Sequence, residues 1–198
     1  MSKITLAWRS YQRFLVTHPI KAQGLTAGVL IGIGDILAQQ VVEKKGIKGH
    51  DFARTSRQAL FGAFFVGPAM ISWYKVLDRL YKGSGKLVPM CKVITDQAVF
   101  APVLITCFMS FVAWGNGRTG SQIKSQLKAD FLPTLFTSYM IYPAVQVVNF
   151  YVLPVDYRPV LINVVSIFWN TYLCWKSNNP TDQKIPETFN SSGNSSSA

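Results

Sequence analysis

The chain is short of charge, and the charge it has is lopsided. Only 15% of its 198 residues are Asp, Glu, Lys or Arg, with 9 acids against 20 bases. A soluble domain carries roughly 25% charged residues, so a surface that faces water on all sides is excluded. Histidine is nearly absent, at 2 residues, and the 3 cysteines, Cys91, Cys107 and Cys174, lie far apart without metal-ligand spacing. A histidine-based catalytic or zinc centre has too little material, and the cysteines read as free thiols in or near a membrane. There is no phosphate-cradling glycine loop and no nucleophile elbow, and no base stands beside a nucleophile. Neither catalysis nor a cofactor is expected. The net charge of +11 comes without a nucleic-acid-binding motif, so direct nucleic-acid binding is not expected either.

What the chain has instead is long apolar runs separated by short basic connectors. Hydrophobic residues make up 49% of it. A bilayer core about 30 Å thick needs about 20 mostly apolar residues per helix. Spans are predicted over 22–42, 57–80, 90–114 and 131–153, and a fifth stretch, 159–175, is near the lower limit for crossing. The predicted fold class is all-α, a multi-pass transmembrane helix bundle of four or five spans with an N-terminal amphipathic helix. Residues 1–19 form that basic helix, 20–176 the bundle and 177–198 a disordered, dispensable polar tail rich in Ser and Asn. Gly67-Pro68, Pro102 and Pro143 mark kinks, which must face protein or water, because a freed carbonyl in lipid has no partner.

The placement of the basic residues points to a membrane surface. Lys44, Lys45, Lys48, Arg54 and Arg57 flank one connector, and Lys75, Arg79, Lys82, Lys86 and Lys92 another; both suit anionic lipid head-groups. Trp73, Tyr74, Tyr81, Trp114, Trp169, Tyr172 and Trp175 gather at span ends as interfacial anchors do. The first 19 residues carry Lys3, Arg9 and Arg13 and no acid, the chemistry of a mitochondrial targeting helix rather than of a secretory signal. Basic residues are balanced between the two sides and set no orientation.

Polar residues inside spans are the candidate functional positions. Gly24, Gly28 and Gly32 recur every fourth residue and form a stripe for close helix packing. Asp35 and Gln39 fall in the same band. Either they line a hydrophilic pathway, or they bond a neighbouring helix and hold the bundle together. Folding the first two spans as a hairpin about Gly46–Gly49 brings Asp35 level with residues near Arg57, so Arg57, or Arg54 one turn away, is its expected counter-ion. The third span adds Asp96 and Gln97. The fourth presents Tyr142, Gln146 and Asn149, and the fifth Asn163, Ser166, Asn170 and Cys174. Two such stripes suggest a water-filled crevice between these helices; inter-helix hydrogen bonds are the other reading.

Eight ordered blocks carry a family resemblance: WRSYQRFLVTHP (8–19), GIGDILAQQ (32–40), ARTSR (53–57), GPAMISWYKVLDR (67–79), DQAVFAP (96–102), YPAVQVVNFYVLP (142–154), YRPVLINVV (157–165) and FWNTYLCWK (168–176). On these the chain resembles the Mpv/PMP family of small integral membrane proteins of mitochondrial inner membranes and peroxisomes, most of all its mitochondrial founding branch. It departs from the family pattern at Tyr142, where a Trp is usual, and at Cys174, where a Ser is usual. The resemblance implies a weakly selective channel or pore of the mitochondrial inner membrane, passing small solutes, assembling as a homo-oligomer, and tied to mitochondrial DNA maintenance, metabolite balance and stress tolerance. It singles out Asp35, Gln39, Arg57, Asp96, Gln146, Asn149, Arg158, Trp169 and Asn170 as positions to test. A non-conducting inner-membrane scaffold and a peroxisomal pore are the alternatives.

Overall fold

The computed structural model describes residues 17–83, 87–151 and 158–181, with backbone alone at 146, 147, 149–151 and 158–160. The architecture is all-α. Among the described residues five long helices follow in order: α1 (Pro19–Val42), α2 (Phe52–Leu80), α3 (Val88–Gly115), α4 (Gly120–Tyr151) and α5 (Arg158–Asn178). The first three, of 24, 29 and 28 residues, are long and apolar enough to cross a membrane. The other two have 32 and 21 residues, about 48 and 31 Å at 1.5 Å per residue, so length permits a crossing.

These helices are built inside out relative to a soluble bundle. On α1, Gly24, Gly28, Gly32, Gly34, Asp35 and Gln39 are buried while Leu25, Val29, Ile33 and Ile36 face outward. On α4, Gln126, Asp130, Thr134 and Ser138 are buried at four-residue spacing, and Leu132, Phe136 and Met140 are exposed at the same spacing. An apolar exterior with small and polar residues inside suits a lipid solvent, where apolar burial drives little and packing and hydrogen bonding drive association. The apolar core lies between α1, α3 and α5: Ala27, Ile31, Phe108, Met109, Val112, Trp169 and Leu173.

Two of the expected break points, Pro68 and Pro102, are each preceded by a π-turn. Proline has no N–H to donate, and a π-turn widens the helix locally. One such turn covers Gly62–Val66 just before Pro68, and another covers Asp96–Phe100 just before Pro102. In each, the carbonyl five residues before the proline is left without its helical donor. Gln97 O, in the second turn, accepts instead from the Tyr139 hydroxyl at 3.0 Å. Ala63 O, in the first, points at α1, where a Cβ on Gly24 would lie 2.5 Å from it. Gly24 also meets Gly67 across the pair, and a Cβ on Gly28 would come within 2.9 Å of Ala59 O. The spacing of the three glycines thus serves the α1–α2 contact.

Two expected boundaries move. The second helix begins at Phe52 rather than 57, because Asp51 caps it by accepting from the Arg54 N–H at 2.9 Å. The polar tail begins later than 177: Ser177 is buried, and Thr181 is tied to Asp130 through both its hydroxyl, at 2.6 Å, and its N–H, at 3.0 Å. Most of the expected N-terminal helix and the remainder of the tail lie outside the described residues.

The glycine stripe yields a graded expectation. Gly24→Ala forces a methyl against a backbone carbonyl that cannot rotate away, and should destabilise the solubilised protein by about 1–3 kcal/mol. Gly32→Ala, whose nearest contact is the Ala59 methyl at 3.4 Å, should lower the unfolding temperature much less. Equal effects in thermal unfolding of the two variants would contradict this packing.

Candidate functional site

Two polar regions occupy opposite ends of the bundle. At the α1–α2 turn, Arg54 is 4% exposed and serves two carboxylates at once. Its Nε donates to Asp35 Oδ1 at 2.8 Å, and Nη1 and Nη2 donate to the two Glu43 oxygens at 2.9 Å each. Asp35 also accepts from Gln39 Nε2 at 2.8 Å and from the Thr55 hydroxyl at 2.6 Å. Gln39 Oε1 takes the Asp51 N–H at 2.8 Å, and Glu43 takes Lys45 Nζ at 2.9 Å and Asn179 Nδ2 at 3.0 Å. Two acids and two bases balance, and the charged oxygens are met by donors. A buried cluster with excellent geometry holds together, whereas removing one partner strands a charge.

This arrangement decides what the residue pattern left open. The counter-ion of Asp35 is Arg54, the second of the two expected arginines. The chain reverses between Val42 and Phe52 through two residues of positive φ, Lys44 at +53° and Gly46 at +70°, and Arg54 comes to lie against Asp35. Arg57 instead packs on Gly115 and donates to Asn116 Oδ1 at 3.1 Å. Asp35 and Gln39 are both 0% exposed and wholly engaged, so they brace helices and do not line an open space. The stripe on α5 is divided as well. Asn163 is exposed, Asn170 packs against Gly34 of α1, and Cys174 Sγ lies 3.9 Å from Ile31 O. Only Ser166 of that stripe faces a cavity. The side chains of Gln146, Asn149 and Arg158 lie outside the described ones.

The second region is that cavity, of about 400 Å³ and bordered by α2, α3, α4 and α5. It runs from Asp78 and Lys92, paired at 2.7 Å, inward past Tyr74, Asp96, Gln97, Phe100 and Tyr142 to Trp169 and Leu173. Asp96 lies in the π-turn eight residues into α3, about 12 Å along the axis. Its Oδ1 accepts from Trp73 Nε1 at 2.9 Å and its Oδ2 from Gln97 Nε2 at 3.3 Å. Among the described residues no lysine or arginine pairs with it. Trp73 stacks on Phe100 with centroids 5.4 Å apart, and Tyr142 meets Trp169 edge to face at 5.9 Å.

Sequence reasoning missed Glu43, Gln126, Asp130, Lys176 and Asn179. Lys176 bridges Asp130 at 2.8 Å, and Gln126 Nε2 donates to Ser177 O at 2.9 Å. The signal was present: Asp35, Gln39 and Glu43 continue one four-residue series, and Gln126, Asp130, Thr134 and Ser138 form another.

An inside-out helical bundle with buried ion pairs and a cavity walled by four helices defines an integral membrane protein. The family described as Mpv17 / PMP22 matches residues 113–174. Mitochondrial inner membrane protein Mpv17 of Xenopus laevis is 48% identical over 171 residues, covering 86% of this chain and 97% of its own. The protein of that name from Homo sapiens is 44% identical over 170 residues with the same coverage. Protein sym-1 of Neurospora crassa is 37% identical over 172 residues, again covering 86% and 97%. No solved structure matches. The chain belongs to the Mpv17 / PMP22 family and is a multi-pass protein of the mitochondrial inner membrane.

Two measurements check the ion cluster. Arg54→Gln should cost roughly 3–5 kcal/mol, since it leaves two buried carboxylates without their cation, whereas Arg57→Gln should cost about 1 kcal/mol; denaturant unfolding in detergent compares them, and similar losses would speak against the pairing. The Glu43 carboxyl, just beyond α1, is pushed up by burial but held below its ordinary value by hydrogen bonds and charge from Arg54 and Lys45. A carboxyl lowered on folding contributes stability above its unfolded value of about 4.5 and loses it as pH falls through the folded one. The unfolding temperature should therefore drop in acid below that point, and Glu43→Gln should flatten this limb while lowering stability at neutral pH.

Proposed function

We propose that the protein is a non-catalytic, weakly selective channel for small solutes in the mitochondrial inner membrane, assembled as a homo-oligomer among anionic lipids and serving mitochondrial DNA maintenance and stress tolerance. The observation that supports it best is the cavity around Asp96 and Gln97. A carboxylate at membrane depth is costly unless it faces protein partners or water, and this one lines a cavity between four helices without a basic partner among the described residues. With Asp78 paired to Lys92, Asp96 is the carboxylate of this mostly apolar lining that has no cation among the described residues, and such a group favours cations over anions.

A scaffold reading draws on a different observation, the fully engaged cluster of Asp35, Arg54 and Glu43, whose geometry is that of a structural clamp. The two readings part in planar bilayers. The purified protein should conduct with a modest preference for cations, and Asp96→Asn should shift the reversal potential in a salt gradient toward zero selectivity. Asp35→Asn should act through stability alone. Silent bilayers with folded wild-type protein, across voltage and pH, would put the scaffold first.

A further inference from the structure

Two neighbouring acceptors border the cavity. Asp96 receives two hydrogen bonds and no cation among the described residues. Gln97 Oε1 beside it is buried with no hydrogen-bond partner. Lys92, one helical turn away, is taken by Asp78 at 2.7 Å. An acceptor pair at the wall of a low-dielectric space calls for a donor carrying positive charge.

The remaining walls decide what kind of cation. Apart from the Asp78–Lys92 pair, Asp96 and Gln97, they are mostly apolar, with the rings of Tyr74, Phe100, Tyr142 and Trp169 among them. A bare metal ion needs about six oxygen ligands, which this lining does not offer. Aromatic faces attract organic cations electrostatically and pack against apolar bodies. A volume of about 400 Å³ falls in the range of small-molecule sites, which pair hydrophobic and aromatic walls with a few placed polar groups. We propose that this cavity binds an organic cation, a primary ammonium on an apolar or aromatic body, with its N–H groups donated to Asp96 and Gln97 Oε1 and its body among the rings. The inference builds on the cavity used in the channel reading and names what the cavity takes.

Phenethylammonium is a suitable probe, with the neutral 2-phenylethanol as its control. Both are titrated by calorimetry against full-length protein in maltoside micelles, with empty micelles subtracted. Phenethylammonium should bind saturably and at least about tenfold more tightly than the alcohol, and Asp96→Asn should weaken it about tenfold. Gln97→Leu should weaken it about threefold, and Ala101→Phe, which fills the cavity from α3, should abolish it. Equal binding of the amine and the alcohol, or undiminished amine binding by folded Asp96→Asn protein, overturns the proposal. If Asp96→Asn does not fold, the amine–alcohol comparison and Ala101→Phe decide it on their own. Displacement of the probe by added phosphatidylethanolamine assigns the site to a lipid head-group amine, and lack of displacement assigns it to a soluble amine; either keeps the site. Binding without conductance removes the channel reading and leaves this one standing, and conductance without binding does the reverse.

Discussion

Arg54 holds three parts of the molecule at one point. Its guanidinium joins Asp35 inside α1 to Glu43 at the end of α1, and Glu43 in turn holds Asn179 beyond α5. A buried guanidinium is stable only when its donors are matched, and its planar fork fits two carboxylates where a lysine ammonium would meet them as a point charge. The α1–α2 hairpin is thus fastened by electrostatics at its turn. Toward its other end it is fastened by steric fit, where Gly24 and Gly67 let two backbones touch. The two fastenings depend on each other: glycine contact brings the helices near enough for a short ion pair, and the ion pair sets the register in which the glycines meet.

Proline supplies the second constraint. Pro68 and Pro102 each remove one donor, and the π-turns before them absorb the loss. The consequences differ with the neighbour available. At Ala63 the exposed carbonyl abuts a glycine of α1; at Gln97 it takes a tyrosine hydroxyl from α4. The second turn also carries Asp96 and Gln97 toward the cavity, so the feature that relieves a backbone defect presents the acceptor pair as well. Some 20 residues, about 30 Å, separate Arg54 from Tyr74 along α2. One end of the bundle therefore carries the Arg54 ion cluster, while the other borders a cavity and an acid with no basic partner among the described residues.

Much of this was legible in the chain. Apolar runs of span length announce the first three helices, and the four-residue glycine series announces a packing stripe. The family blocks run through nearly the whole bundle. The α4 stripe of Gln126, Asp130, Thr134 and Ser138 is equally periodic but does not stand out in the chain, because it straddles the start of the predicted span at 131. The end at Asn179 and Thr181 was hidden for another reason: Ser/Asn-rich sequence resembles a disordered tail until its partners, Glu43 and Asp130, are seen to wait for it.

The sequence by itself determined the solvent, the helical class, the approximate spans and the family, because these follow from local composition and from period along one chain. Only the tertiary structure decided which arginine answers Asp35, that Asn163 looks outward while Asn170 meets Gly34, and that Asp96 rather than Asp35 borders open space. Those outcomes depend on how the chain turns between Val42 and Phe52 and on how far helices slide and rotate against one another. A shift of one helical turn exchanges Arg54 for Arg57, and such shifts are set by side chains distant in sequence that meet only when the bundle has closed.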